Sequence, residues 1–209
     1  MRLKQEKSAV TLDRTNPDGA AATRAAETQT SCCQDIILIT ESAAATEKLG
    51  FQLAGLLMAG SVMSLEGDLG AGKTWFTRGL AAGLRCRGAV ASPTFTIMME
   101  HPAGDAGLPL YHFDVYRLLN SDEFMELGFD EYLDGEGVSV IEWGDMIQDI
   151  LPTRTIRLKL EWVEHARQSR KITICWPDGN ACLAVLARLA DAFTMPFEDR
   201  PEAGGSQSC

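Results

Sequence analysis

The sequence lacks the features that would export it, anchor it or let it grip a polyanion. No stretch approaches the ~18 consecutive apolar residues of a membrane-crossing helix. The first ten residues, MRLKQEKSAV, are charged and carry no apolar leader core. Six cysteines (Cys32, Cys33, Cys86, Cys175, Cys182 and Cys209) include no C-x-x-C pair and no zinc-type spacing. Neither a metal cluster nor a disulfide framework is indicated, and reduced thiols in a cytoplasmic protein are the expectation. Basic residues are the scarce charge: 19 Lys and Arg stand against 29 Asp and Glu, a net charge of −10. That sign opposes unaided binding to RNA, DNA or an anionic membrane, so any nucleic acid has to be held by a partner. No N-K-x-D stretch is present to read a guanine base.

What is there begins with a length, 209 residues, that suits one α/β domain with a real core. Residues 1–33 are rich in Thr, Ala, Asp and Gln without a sustained apolar period, and read as a flexible N-terminal extension. The end, 196–209, has the same polar character and reads as a flexible tail, leaving 34–195 as the folded unit. Within it DIILIT and SVMSLEG read as strands, with the helix SAAATEKLGFQLAGLLMAG between them. Further strands are expected at TFTIMME, LPLYHFDVY, VSVIEWG, TIRLKLEW and KITICWP, and helices at Lys73–Leu84, SDEFMELGF and NACLAVLARLADAF. Strands alternating with helices imply a mostly parallel sheet covered on both faces, the three-layer α/β class. The late run of strands suggests antiparallel additions at one edge.

The segment EGDLGAGKTWF contains the phosphate-loop pattern G-x-x-x-x-G-K-[ST], from Gly67 through Asp68, Leu69, Gly70 and Ala71 to Gly72, Lys73 and Thr74. Its glycines let successive N–H groups turn around phosphate oxygens, Lys73 adds an ammonium, and the Thr74 hydroxyl can ligate Mg²⁺. A strand before the loop and a helix after it supply the context, because a helix N-terminus presents unpaired N–H groups to an anion. A nucleotide triphosphatase also needs a metal-directing carboxylate at the end of a nearby buried strand, and Glu142 in VSVIEW fills that position. Asp114 in YHFDVYR is a second carboxylate at a strand end, able to reach Mg²⁺ through water or to orient a hydrolytic water.

His112, two residues before Asp114, shares its strand face but reads as a structural hydrogen-bonding residue without a catalytic role. Ser92, Thr94 and Thr96 flank Pro93 in ASPTFTI, where hydroxyls on a stiffened segment suit either a γ-phosphate sensor or plain turn chemistry. Trp75 and Trp143 read as core or interface packing. Arg167 and Arg170 form a short basic cluster, either a solvated face or a turn that touches nucleotide.

Taken in order, GDLGAGKT, SPTFTI, YHFDVYR, ELGFDEYL and VIEWGD, followed by LP, closely resemble the bacterial TsaE family, also called YjeE, over about residues 36–175. The resemblance implies a small P-loop ATPase that assists formation of N6-threonylcarbamoyladenosine in tRNA with TsaB and TsaD, TsaD carrying the transfer. It implies ATP and Mg²⁺ as cofactors, with Lys73 and Thr74 binding Mg²⁺·ATP, Glu142 as second metal ligand, and Asp114 and Thr94 linked to hydrolysis. It also implies nucleotide contacts near Ser42–Thr46 and Ala166–Arg167. Residues 1–33 and the C-terminal helix and tail depart from the family pattern. A small-molecule P-loop kinase is the main competitor; it needs an arginine-rich lid, and Arg78, Arg85, Arg87 and Arg117 do not cluster as one. A nucleotide-gated binding module with little turnover is the second.

Overall fold

A computed structural model describes residues 35–177 and Leu189. The strands are β1 (Asp35–Thr40), β2 (Val62–Glu66), β3 (Met98–His101), β4 (Leu110–Asp114), β5 (Val138–Glu142), β6 (Ile156–Val163) and β7 (Ala166–Cys175). The helices are α1 (Ala43–Ala54), α2 (Lys73–Gly83) and α3 (Ser121–Glu126), with 3-10 turns at Phe129–Asp134 and Gly144–Ile147. One seven-stranded sheet runs in the order β1-β7-β6-β2-β5-β4-β3. The central pairs β6–β2, β2–β5 and β5–β4 are parallel. Pairs β1–β7, β7–β6 and β4–β3 are antiparallel. The α/β class and its parallel centre match the expectation, but antiparallel pairing occurs at both edges rather than one.

Each face of the sheet has its own core, which makes three layers. On one face Leu38, Leu65, Val140, Leu158 and Ile172 meet Leu49 and Leu53 of α1 and Phe76 and Leu80 of α2. On the other, Val62, Phe113 and Ile141 meet Phe124 of α3 and Leu133 and Ile147 of the 3-10 turns. Burying one such side chain contributes about 1.5–3 kcal/mol. The α1 stripe Thr46, Leu49, Gly50, Leu53 follows the helical period. Ser42 caps this helix, its hydroxyl accepting from Ala45 N at 3.1 Å. The helix ends at Ala54 with Gly55 as its cap, short of the Gly60 read from sequence.

Two glycines set how closely α1 and α2 approach. A Cβ on Gly79 would stand 1.8 Å from Glu47 O, and one on Gly50 would stand 2.2 Å from Phe76 O. Backbone cannot yield as a flexible side-chain end does, so the helices must move apart to admit even a methyl group. Gly79→Ala is therefore expected to destabilise the fold by about 3 kcal/mol, read as a lowered thermal midpoint, whereas an unchanged midpoint would contradict this crossing.

Of TFTIMME, Met98, Met99 and Glu100 are extended and β3 runs on to His101. Pro93 O accepts from both Thr96 N and Ile97 N, and Ile97 is left-handed with φ 64°, so the preceding hydroxyl-bearing residues form a turn. Among the described residues no helix is long and apolar enough to cross a membrane. Cys86 and Cys175 form no disulfide among the described residues, and burial pushes the Cys86 thiol up to about 11, which keeps it protonated and unreactive near neutral pH. The readings of 1–33, the helix at 180–193 and the tail at 196–209 lie outside the described residues, apart from Leu189, which is buried in the first core.

Candidate nucleotide site

The glycine loop joins β2 to α2 at the C-terminal end of the parallel strands, with β5 and β6 on either side of β2. Gly67 has φ 134°, and a Cβ there would stand 2.2 Å from Leu160 O, so only glycine lets the loop leave the sheet at this point. Gly72 is left-handed at φ 108° and opens α2, which begins at Lys73. The N-terminus of α2 thus faces a cleft of about 390 Å³, lined by Gly70, Gly72, Lys73 and Thr74 on one side and by Ser92, Thr94, Asp114 and Glu142 on the other.

Lys73 is buried, and its Nζ donates to Gly67 O and Asp68 O while lying 3.7 Å from the centre of the Trp143 ring. Burial pulls its ammonium below the ordinary lysine value, with the charges of Glu142, Asp114, Asp145 and Asp68 opposing that shift. Trp143 is placed for this contact by its own backbone, which is left-handed at φ 64°, immediately after β5. Its ring also packs on Tyr116, with centroids 4.9 Å apart.

The parallel register sets Asp114 directly opposite Glu142 at the ends of β4 and β5, both carboxylates 3% exposed. Thr74 Oγ1 donates to Glu142 Oε1 at 2.9 Å and lies 3.3 Å from Oε2. His112 Nε2 lies 2.9 Å from the same Oε1. Asp114 Oδ2 accepts from the hydroxyls of Ser92 and Thr94, and Oδ1 from Tyr116 N. The first cluster, one hydroxyl and one carboxylate beside a glycine loop, has the oxygen donor chemistry a Mg²⁺·nucleotide requires. The second ties the Ser92–Thr94 turn to a carboxylate that faces the same cleft.

The family described as "Threonylcarbamoyl adenosine biosynthesis protein TsaE" matches residues 40–172. The chain belongs to the TsaE family. The "tRNA threonylcarbamoyladenosine biosynthesis protein TsaE" of Bacillus subtilis is 46% identical over 116 residues, 56% of this chain and 71% of that protein. The protein of the same description from Treponema pallidum is 40% identical over 136 residues, 65% of this chain and 97% of that one. A solved structure described as Bacillus subtilis YdiB superposes with a TM-score of 0.62 at 34% identity, covering 77% of this chain and 97% of its own.

In this TsaE-family chain the residues singled out from sequence separate into two groups. Thr94, Asp114, Glu142, Lys73 and Thr74 share the cleft wall. Ser42 instead caps α1, whose N-terminus nears the loop through Thr46, with its methyl 3.8 Å from where a Cβ on Gly72 would stand. Arg167 is exposed on β7, its carbonyl accepting from Arg170 Nη1.

Arg170 is the basic residue that reaches the loop, donating to Ala71 O at 2.9 Å and Gly70 O at 3.3 Å with its guanidinium 3.4 Å from the Trp162 ring centre. Binding these two carbonyls fixes the loop backbone next to α2. Trp143 packs against the second core, as its reading as a packing residue expects, and also lines the cleft, whereas Trp75 is exposed and lines the cleft. Backbone direction accounts for both places in the cleft: Trp75 is on the first turn of α2, and the left-handed Trp143 turns its ring over Lys73.

Proposed function

We propose that this chain binds ATP with Mg²⁺ and hydrolyses ATP in support of N6-threonylcarbamoyladenosine formation in tRNA, acting in the cytoplasm with TsaB and TsaD. The observation that carries this reading is the Thr74–Glu142 pair, 2.9 Å apart across the mouth of a glycine loop. Thr74 and Glu142 would hold Mg²⁺, and Lys73 and the loop N–H groups the phosphates. The metal, when bound, supplies charge neutralisation on the phosphoryl oxygens. Asp114 would orient a water, and the relatives, described as tRNA threonylcarbamoyladenosine biosynthesis proteins, support the pathway. Contact with tRNA would be indirect, through the partner proteins, in keeping with the net charge of −10.

Arg78, Arg87 and Arg117 are engaged with Val90 O, Asp105 and the Phe95 ring, which speaks against the arginine lid of a small-molecule kinase. Phosphate release from ATP by the pure chain, with and without TsaB and TsaD, tests the proposal. Release that rises with the partners is expected, whereas transfer of the phosphoryl group to a small acceptor, or no release in either case, would overturn it.

Ser92 and Thr94 share Asp114 Oδ2, so a γ-phosphate that attracts the Thr94 hydroxyl must change the order of this turn. A ligand shifts a segment only by its differential affinity for the two states, and ATP and ADP differ by that phosphate with its metal contacts. A non-hydrolysable ATP analogue is expected to protect amides of residues 92–96 from hydrogen exchange more than ADP does. Equal protection would leave Thr94 as a structural residue.

A further inference from the structure

Glu142 Oε1 has two partners at the same 2.9 Å, the Thr74 hydroxyl and His112 Nε2. The glycine-loop pattern accounts for Thr74 and says nothing of His112. Alternation along β4 puts His112 on the same sheet face as Asp114, and the register that sets Asp114 opposite Glu142 brings the imidazole beside the glutamate side chain. A carboxylate oxygen accepts, so Nε2 carries the proton of this bond and donates it.

The packing gives His112 little reason to be histidine. Its side chain is 0% exposed, and Nδ1 has no hydrogen-bond partner. A buried polar atom left unpaired carries a desolvation cost that a leucine at the same position would avoid. The bond to Glu142 is what the imidazole supplies and a leucine does not. A neighbouring imidazole provides the internal comparison: His101 is also buried, its Nε2 is also unpartnered, and its ring centroid is 6.0 Å from that of His112. Among the described residues His101 makes no hydrogen bond to a group of the cleft.

We infer that His112 is a positioning residue for the metal. By donating from Nε2 it holds the Glu142 carboxylate against Thr74, in the orientation that Mg²⁺ beside a bound nucleotide requires, and it thereby sets metal affinity rather than nucleotide affinity. The inference rests on the ATP–Mg²⁺ reading given above. Removing the group that orients a metal-ligating side chain typically costs 10–100-fold in metal affinity.

The test uses the full chain and two titrations without turnover. The first measures ADP affinity in EDTA, and the second measures Mn²⁺ affinity of the ADP-saturated protein by electron paramagnetic resonance. His112→Leu is expected to weaken Mn²⁺ binding at least ~10-fold while leaving metal-free ADP affinity within about twofold. His112→Gln, whose amide N–H reaches the place of Nε2, is expected to recover most of the loss; His112→Asn, equally polar but too short, is not. His101→Leu should leave Mn²⁺ affinity unchanged.

Wild-type Mn²⁺ affinity in both His112→Leu and His112→Asn would overturn the inference, as would an equal loss in His101→Leu, which would mark a general effect of core disturbance. If His112→Leu fails to fold, the Gln and Asn pair decides alone. If the wild-type chain binds no Mn²⁺·ADP, the ATP–Mg²⁺ reading fails and takes this inference with it. Binding by wild type with no difference among the variants rejects the inference only.

Discussion

Lys73→Ala is expected to abolish useful ATP binding. The ammonium is the one cation of the glycine loop itself, buried at its centre and held by Gly67 O, Asp68 O and the Trp143 ring. No neighbouring residue of the loop could supply the contacts it would make with the β- and γ-phosphates. A charge-assisted contact of this kind contributes about 3 kcal/mol, so affinity should fall roughly 100-fold or more, as measured by calorimetric titration. Wild-type affinity in the variant would place the nucleotide elsewhere. The lowered lysine value adds a pH signature. The protonated form binds phosphate and predominates below that value, so wild-type affinity should decline with rising pH earlier than an ordinary lysine would dictate, while the alanine variant lacks this limb.

Glu142→Gln should separate binding from hydrolysis. Both donors that reach Glu142 converge on Oε1, within 2.9 Å, and a glutamine carbonyl there can accept from both, so the strand end keeps its packing. What disappears is the negative charge that would hold Mg²⁺ against the phosphates. Electrostatic groups of this kind are worth about 10²–10³ in turnover. Phosphate release in the presence of TsaB and TsaD should therefore drop by about 100-fold, with metal-free nucleotide affinity little changed. Unchanged release would transfer the metal role to Asp114, its opposite neighbour in the sheet.

The parts of this site that were legible in the sequence are those whose chemistry is local. Gly67 to Thr74 are consecutive, so the constraint that shapes the loop is written in adjacent residues. Glu142 and Asp114 each close an apolar run, which is how a strand announces a carboxylate at its end. Arg170 was obscured because its acceptors, Ala71 O and Gly70 O, lie about a hundred residues away in the chain. Its strand also begins at Ala166, five residues earlier than KITICWP indicates. The turn is made instead at the left-handed His165. The closeness of α1 and α2 was likewise hidden, since a glycine in a helical pattern gives no sign of which backbone it admits. The pairing of β1 with β7 escaped for the same reason: periodicity identifies a strand but not its neighbour.

That pairing also orders events during synthesis. The glycine loop leaves the ribosome with β2, whose two neighbours, β5 and β6, are both still to be translated. The arginine that fastens the loop carbonyls follows roughly a hundred residues later, about 5–20 s at ordinary elongation rates of ~5–20 residues per second. Until then β1 lacks its partner strand, because among the described residues its neighbour is β7. A nascent chain stopped after Glu142 would carry the phosphate pattern and both carboxylates on the mutually paired β2, β5 and β4, yet lack β6, the other neighbour of β2, and Arg170, which fastens the loop carbonyls. On the proposed function, a fully fastened glycine loop would wait for β7, the strand that brings Arg170 to the carbonyls of Gly70 and Ala71.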